Sequence, residues 1–192
     1  RAAAFTIYPS HFMRHRIEAL PHHPAHVVAP GIEPPARALR SARRHDQIAL
    51  LGGGQEHKGG ARLARIAAAL AARGMQVTSY GGYGHEHLLQ MRGIQGVRVR
   101  GYYRAGSLPE LLARQGASVA LILSAVPESF SLVLSEAWAA GVPVVAPASG
   151  ALLERLRVPD KAGGLLISAD PSDDEILAAV ERARSMSWDV LP

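Results

Sequence analysis

The amino-acid sequence predicts an α/β fold in which helices cover both faces of a doubly wound parallel sheet. Short, continuous apolar runs alternate with helix-like segments from one end of the chain to the other, which is typical of strands buried on both faces. The chain has 192 residues, of which 48% are hydrophobic, and this is enough to bury one sizeable core. We therefore expect a single domain rather than two.

The strands and helices can be assigned in chain order. The predicted strands cover residues 5–8, 26–28, 48–51, 75–80, 97–100, 119–123, 143–146 and 165–167. Residues 61–73 place apolar side chains on one helical face and arginines on another, and Gly74 supplies a stop. Two more helices are predicted to begin at Ser107 and Ser172, because each serine precedes a glutamate by three positions, as in a capping box. Residues 30–44, rich in Pro and Arg, are predicted to form a linker.

Composition narrows the class of ligand. The net charge of +5 favours an anionic ligand, while the scarcity of aromatic residues gives no stacking platform for nucleic acid, so we expect no nucleic-acid partner. The chain contains no Cys, which excludes disulfides and thiolate zinc sites and favours an intracellular enzyme. No apolar run of about 18 residues is present to span a membrane. The chain begins without Met or a signal-like segment, so we expect it to be cut from a larger protein.

A glycine-rich turn is the first candidate site. Gly52, Gly53 and Gly54 follow a predicted strand, and Lys58 lies just before the helix predicted at 61–73. Glycines allow backbone amides to approach a phosphate closely, and a helix N-terminus and a lysine add positive charge. The spacing matches neither a P-loop nor a dinucleotide-binding fingerprint. A flexible turn with a solvated lysine remains the alternative.

Two carboxylates, Glu128 and Glu136, are the second candidate site. Glu128 lies in the loop after a predicted strand, and a helix expected to start near Ser129 carries Glu136 about two turns on, so that roughly 10 Å would separate the acids. This suits contacts with two parts of a long ligand: ribose hydroxyls for Glu136 and sugar hydroxyls for Glu128. The backbone amides of Phe130, Ser131 and Leu132 would then face phosphates between them. Alternatively, Glu128 only stabilises a helix N-terminus, by about 0.3 to 1 kcal/mol.

The histidines offer a weaker possibility of a metal site. His22, His23 and His26 are close in sequence, and His85 and His87 flank Glu86. None of them falls in a helical His-Glu-x-x-His frame, so we interpret them as solvated surface residues and expect no metal. Trp138 and Phe130 are interpreted as packing residues of their helix.

Several motifs together resemble a known family. They are Pro-Gly-Ile-Glu at 30–33, the glycine-rich turn that ends in Lys-Gly, and Pro-Glu-Ser-Phe-Ser-x-x-x-Ser-Glu-Ala-x-Ala-Ala-Gly-x-Pro-Val-Val-Ala at 127–146. The order resembles the C-terminal, donor-binding domain of group 1 retaining glycosyltransferases, over about residues 26–185. The resemblance implies the Rossmann-like half of a GT-B fold. Residues 1–25 would be a remnant of the preceding N-terminal domain, and residues 26–192 the nucleotide-sugar-binding C-terminal domain.

The resemblance also implies an activity and its residues. Such enzymes transfer a sugar from a nucleotide diphosphate to an acceptor with retention of configuration, and need neither a metal nor another cofactor. Glu128 matches the acid that faces the sugar, Lys58 the cation at the diphosphate and Glu136 the acid at the ribose. The amides of the turn that follows Glu128, beginning at Ser129, match the phosphate contacts. The loop at Gly101 and Tyr102 would meet the base.

The expected partners follow from the same resemblance. They are a UDP- or GDP-sugar donor and the missing N-terminal domain, without which the chain would be inactive. We expect a cytoplasmic protein of cell-envelope polysaccharide synthesis, with peripheral contact to the inner membrane face where the acceptor is lipid-borne.

The chain departs from the family pattern at two places. Gly53 stands where the family often has Arg, and Ser129 and Ser131 stand where it often has Gly. Two alternative functions therefore remain open. One is a nucleotide-sugar epimerase of similar fold, and the other is a degenerate, non-catalytic scaffold domain.

Overall fold

A computed structural model describes residues 5–17, 24–32, 43–82, 86–157 and 163–188. Eight strands are present within these ranges, each within one or two residues of its predicted position, so the predicted fold class is confirmed. Their bounds are β1 Thr6–Tyr8, β2 Ala25–Val27, β3 Gln47–Leu51, β4 Gln76–Tyr80, β5 Val97–Gly101, β6 Val119–Ile122, β7 Val144–Pro147 and β8 Gly164–Ile167.

The described part of the chain also contains seven helices, the last of which follows β8. Their bounds are α1 His11–Ile17, α2 Gly60–Ala72, α3 Glu86–Arg92, α4 Leu108–Gln115, α5 Leu132–Ala139, α6 Gly150–Leu156 and α7 Asp173–Ser185. A single 3₁₀ turn, Glu56–Lys58, precedes α2. The helix predicted at 61–73 is therefore confirmed as α2.

The six strands β3 to β8 form one parallel sheet in the order β5-β4-β3-β6-β7-β8. The chain winds outward from β3 to β5, and then starts again beside β3 with β6 and winds to the other edge. β3 and β6 are therefore neighbours whose following loops diverge, which is the switch point of a doubly wound sheet. Ligands of such sheets bind at this point, beyond the carboxyl ends of the strands.

The central strands are buried on both faces because their side chains alternate between two cores. Ile48 and Leu50 of β3 pack with apolar side chains of α2, α3 and α7. Ala49 and Leu51 of the same strand pack with those of α4, α5 and α6. All five residues of β3 are buried, which explains why the sequence shows a continuous apolar run rather than an alternating one.

A second, two-stranded parallel sheet is formed by β1 and β2. The helix between them, α1, packs against α6, where the carboxylate of Glu154 accepts hydrogen bonds from the backbone N–H groups of His11 and Phe12, at 3.2 and 2.9 Å. The proposed boundary between residues 25 and 26 falls inside β2, whose register pairs Ala25 with Thr6. The division into a remnant and a C-terminal domain stays a prediction. The predicted linker, 30–44, lies mostly outside the described residues.

The predicted helix starts have different outcomes. Ser172 caps α7, since its hydroxyl accepts a hydrogen bond from the Glu175 N–H at 3.1 Å. Ser107 precedes α4 but makes no capping bond; its hydroxyl donates to the carbonyl oxygen of Arg104 at 2.7 Å, because its backbone is already helical. The predicted start of α5 near Ser129 is wrong by three residues, since Ser131 takes a left-handed conformation and the helix begins at Leu132.

Candidate functional site

The loop after β3 is held against the end of β6 by its glycines. Gly59 has φ +78°, and a Cβ on it would overlap the carbonyl oxygen of Leu123. In the same contact, the Ala125 N–H donates to the carbonyl oxygen of His57 at 3.1 Å. The two loops at the switch point are therefore in direct backbone contact, which brings Lys58 close to the loop that carries Glu128.

Lys58 and Glu128 form an ion pair across this junction. The Lys58 ammonium lies 2.7 Å from one carboxylate oxygen of Glu128, and the two side chains are 30% and 12% exposed. The Ser124 hydroxyl donates to the same oxygen. Two of the predicted site residues, 70 positions apart in sequence, therefore form one charged cluster at the carboxyl ends of β3 and β6.

The absence of a cation at position 53 has a structural reason. Gly53 has φ +76°, and a Cβ there would lie 3.1 Å from the carbonyl carbon of Gly81. Because positive φ disfavours side chains and the backbone of the loop after β4 is this close, an arginine at this position would need a rearranged loop. Gly53 thus permits close packing of two backbone segments.

The turn after Glu128 is fixed by contacts with other parts of the chain. The Ser10 hydroxyl donates to the carbonyl oxygen of Ser129 at 2.6 Å, and the Ala151 N–H donates to that of Glu128 at 2.9 Å. Phe130 is buried, in agreement with its interpretation as a packing residue. α5 begins directly after this turn, and its third amide, that of Leu134, donates to the carbonyl oxygen of Ser131 at 3.1 Å. The amides before it precede the regular bonding pattern of the helix and can bond an anion.

Trp138 also packs within the fold. Its indole N–H donates to the carbonyl oxygen of Gly163 at 2.9 Å, and its side chain lies against the core that contains α5. This agrees with its interpretation as a packing residue of the helix.

Glu136 is a carboxylate held in apolar surroundings. Glu136 is 8% exposed. Burial raises the pKa of its carboxyl group above the ordinary value of 4.5, while a hydrogen bond from the Gly106 backbone lowers it. Burial, together with the charge of Glu136, raises the pKa of Tyr103. A buried acid with a single backbone donor retains the capacity to accept further hydrogen bonds.

The raised pKa of Glu136 predicts a pH-dependent stability. The folded state disfavours its charged form, so its destabilising effect should appear as the pH rises from about 4.5 through the raised pKa and then remain constant. We expect Glu136→Gln to match the wild-type free energy of unfolding at low pH, where the acid is neutral, and to exceed it at neutral pH. Urea unfolding of both proteins across about pH 4 to 8 tests this, and a difference independent of pH would contradict it.

Most of the predicted site residues line one cavity of about 910 Å³ at the switch point. Those on its wall are Gly52, Lys58, Tyr102, Glu128, Ser129, Phe130, Ser131, Leu132 and Glu136. Gly53, Gly54 and Gly101 are not among the lining residues. Gly101 instead ends β5, where its carbonyl oxygen accepts a hydrogen bond from Gly81 at 2.8 Å. That Gly53, Gly54 and Gly101 contact a ligand stays a prediction.

Sequence reasoning missed several residues of this cavity. Gln55, Ser124, Tyr103 and Gly106 line it, and Arg155 holds one of its turns. Ser124 could have been found from its place directly after β6, and Tyr103 from its place after β5. No local pattern marks Arg155, which reaches the turn from a helix 25 positions along the chain.

A separate depression of about 740 Å³ is lined by residues of β4, β5 and α4 and is basic, with Arg44, Arg98, Arg100 and Arg114 among its lining residues. It contains none of the predicted site residues. Two of its arginines lie within 4 Å of a carboxylate, Arg44 of Asp46 and Arg114 of Glu110. Part of the positive charge of the chain therefore lies outside the cavity at the switch point.

The histidines can be judged only in part, because His22, His23 and His85 lie outside the described residues. His26 packs its ring edge-on against Phe5, with 6.0 Å between the ring centroids, and His87 lies 3.1 Å from a carboxylate oxygen of Glu56. Within the described ranges no group of three or more His, Cys, Asp or Glu side chains could hold a metal ion. That no metal or cofactor is needed stays a prediction. In the same ranges no helix is long and apolar enough to cross a membrane.

Comparison with known proteins identifies relatives of this fold. The family model described as "Glycosyl transferases group 1" matches residues 45–185. None of the curated proteins matches the chain in sequence. Among solved structures, HepE from Anabaena in complex with UDP and glucose is similar with a TM-score of 0.75 and 17% identity over 95% of this chain.

Two further structures have the same fold. Sucrose-phosphate synthase from Thermosynechococcus elongatus has a TM-score of 0.68 and 24% identity over 94% of this chain. The lipopolysaccharide outer core galactosyltransferase WaaB has a TM-score of 0.70 and 20% identity over 95% of it. The chain spans only 54%, 49% and 53% of the lengths of HepE, the synthase and WaaB.

Proposed function

The chain belongs to the group 1 glycosyl transferases, and we propose that it is the donor-binding part of a retaining enzyme that uses a nucleotide diphosphate sugar. The observation that carries the proposal is the meeting of Lys58, Glu128 and Glu136 on the wall of one cavity at the switch point. Its volume, about 910 Å³, falls within the range of about 300 to 1,000 Å³ typical of small-molecule sites.

The diphosphate would lie beside Lys58 and the first turn of α5. Transfer breaks the bond between the anomeric carbon and a diphosphate oxygen, so negative charge accumulates on the departing nucleotide. Lys58 supplies a full positive charge, and the amides that begin α5 supply partial ones. These groups are positioned before the reaction, because Lys58 is already held by Glu128 at 2.7 Å.

The two acids would hold the ends of the donor. Glu136, deep in the cavity beside Gly106 and Tyr103, would accept hydrogen bonds from the ribose hydroxyls. Glu128, at the junction with Lys58, would face the sugar. Tyr102, which is 58% exposed at the cavity, would contact the base. Structures of HepE include complexes with UDP and with UDP-glucose. A uridine nucleotide is therefore the first donor to test.

The acceptor would be held by an N-terminal domain outside this chain. Among the residues that the structure describes, the sheet β1–β2 has two strands, an arrangement that is marginally stable by itself. Phe5, Ile7 and Val28 at this sheet are each more than half exposed, which suits packing against further structure. A domain in this place would close the cavity from the side of Pro9 and Pro30, which line it.

Calorimetric titration of the chain with UDP, GDP and their sugars tests this proposal. We expect one of these nucleotides to bind with a Kd of about 0.1 to 1 mM, and no sugar transfer by the chain alone. Lys58→Met should weaken that binding at least tenfold, while Arg114→Met, in the separate basic depression, should leave it unchanged. Absence of binding by all of them at millimolar concentration would contradict the proposal, and epimer formation without an acceptor would replace it with an epimerase.

A further inference from the structure

Arg155 of α6 clamps the turn between Glu128 and α5. One guanidinium nitrogen donates to the carbonyl oxygens of Phe130 and Ser131, at 3.0 and 2.9 Å, and the other donates to the Ser135 hydroxyl at 2.7 Å. The guanidinium carbon also lies 4.0 Å from the centre of the Phe130 ring and 5.0 Å from that of Trp138. A planar cation that donates several bonds in fixed directions can hold a backbone turn in one conformation.

The charge of Arg155 is retained in this setting. Burial lowers its pKa to about 10, and the nearby carboxylate of Glu154 acts in the opposite direction. The group is therefore cationic at neutral pH. In the turn, Arg155 donates to neutral carbonyl oxygens and not to a carboxylate. Its positive charge is therefore only partly compensated by these bonds.

The clamped turn contains a strained residue. Ser131 has φ 68° and is the single non-glycine residue with positive φ among those described. A side chain in this region is strained because its Cβ crowds the following carbonyl oxygen, and such a residue persists where its surroundings hold it in place. The Ser131 hydroxyl is buried and has no hydrogen-bond partner in the described part of the chain, so its own side chain does not provide the hold.

We propose that Arg155 is a positioning residue that keeps Ser131 left-handed and thereby aims the amides at the start of α5 into the donor cavity. Ser131 and Leu132 line that cavity, whereas Arg155 is not among its lining residues. A glycine at position 131 would adopt the same backbone conformation without a clamp. The importance of Arg155 therefore depends on the presence of a side chain at position 131.

A double-mutant cycle on the chain tests this dependence. The variants are Arg155→Met, Ser131→Gly, and both together, with Arg157→Met as a control because Arg157 is an exposed arginine at the end of the same helix. We expect Arg155→Met to weaken nucleotide diphosphate binding about tenfold when Ser131 is present and less than about threefold when Ser131→Gly is also present. Ser131→Gly alone should raise the midpoint of urea unfolding, because glycine adopts the left-handed conformation without strain. Arg155→Lys should restore binding only in part.

The affinity readout rests on the proposed function, so a second readout separates the two. The same cycle is measured by urea unfolding and by the amide NMR shifts of residues 130–132, which need no ligand. We expect Arg155→Met to move these shifts and to destabilise the protein more in the wild-type background than in the Ser131→Gly background. Equal effects in both backgrounds would overturn the role of Arg155, even if nucleotides bind. Coupling without nucleotide binding would support Arg155 as a clamp of the turn, but would overturn its role in aiming the amides at a donor, together with the proposed function.

Discussion

Replacing Glu128 by Gln in the two-domain enzyme proposed above is expected to lower kcat about 10² to 10³-fold. Gln keeps the size of the side chain and removes the negative charge that pairs with Lys58 and that we propose to face the sugar. The affinity for the nucleoside diphosphate product should stay the same or increase, because removal of this carboxylate frees the Lys58 ammonium, now 2.7 Å away, for the phosphates. Steady-state kinetics and calorimetry on the same preparation give both quantities.

Two companion variants make this result specific. Lys58→Met should lower kcat and weaken diphosphate binding together, since it removes the cation itself. Glu110→Gln, at an exposed acid in the first turn of α4, should change neither. A non-catalytic scaffold would be indifferent to all three substitutions, and a parallel loss of kcat and product affinity in Glu128→Gln would contradict the separate roles given to the acid and the cation.

Gly59→Ala is expected to destabilise the chain by at least about 3 kcal/mol. The residue has φ +78°, and the added Cβ would overlap the carbonyl oxygen at Leu123, where the loops after β3 and β6 touch. Because the new Cβ would meet a backbone oxygen, rotation of a side chain cannot relieve the clash. Urea unfolding monitored by circular dichroism should show the loss, and nucleotide binding should fall with it, since Lys58 is the adjacent residue.

Gly74→Ala provides a matched control for this substitution. Gly74 has φ +80°, almost the same as Gly59, but a Cβ there would meet nothing within 4 Å. Its cost should therefore be only that of the backbone conformation, about 1 kcal/mol. If the two variants lose the same stability, the close contact between the two loops does not exist as described.

The architecture could be predicted because its signals are local. A strand buried on both faces requires a continuous apolar run, and α2 requires apolar residues at helical spacing followed by Gly74. Ser172 could be assigned as a cap because serine and glutamate three positions apart satisfy the first amides of a helix. The same pattern at Ser107 gave a wrong prediction of a capping bond, since the backbone of Ser107 is already helical. Capping depends on the backbone angles of the serine, and a serine followed by a glutamate three positions later does not determine those angles.

Only some of the residues that line the cavity could be predicted from the sequence. Lys58 and Glu128 could be selected because each follows a strand, and parallel strands end at the same edge of a sheet. Their direct ion pair depends on which strands are neighbours, and that order is not written in any one segment. The start of α5 was misplaced for a related reason, because Arg155, from a distant helix, donates to the carbonyl oxygens of the turn that contains the left-handed Ser131.

The sequence alone determined the fold class, the family resemblance and the residue types available to an anionic ligand, because apolar period, glycine placement and charge are properties of short segments. Tertiary structure alone decided that Lys58 pairs with Glu128, that Glu136 is buried with a raised pKa, and that Arg155 clamps the turn at Ser131. Those facts depend on distances between segments far apart in the chain, which are set by the packing of two cores against one sheet.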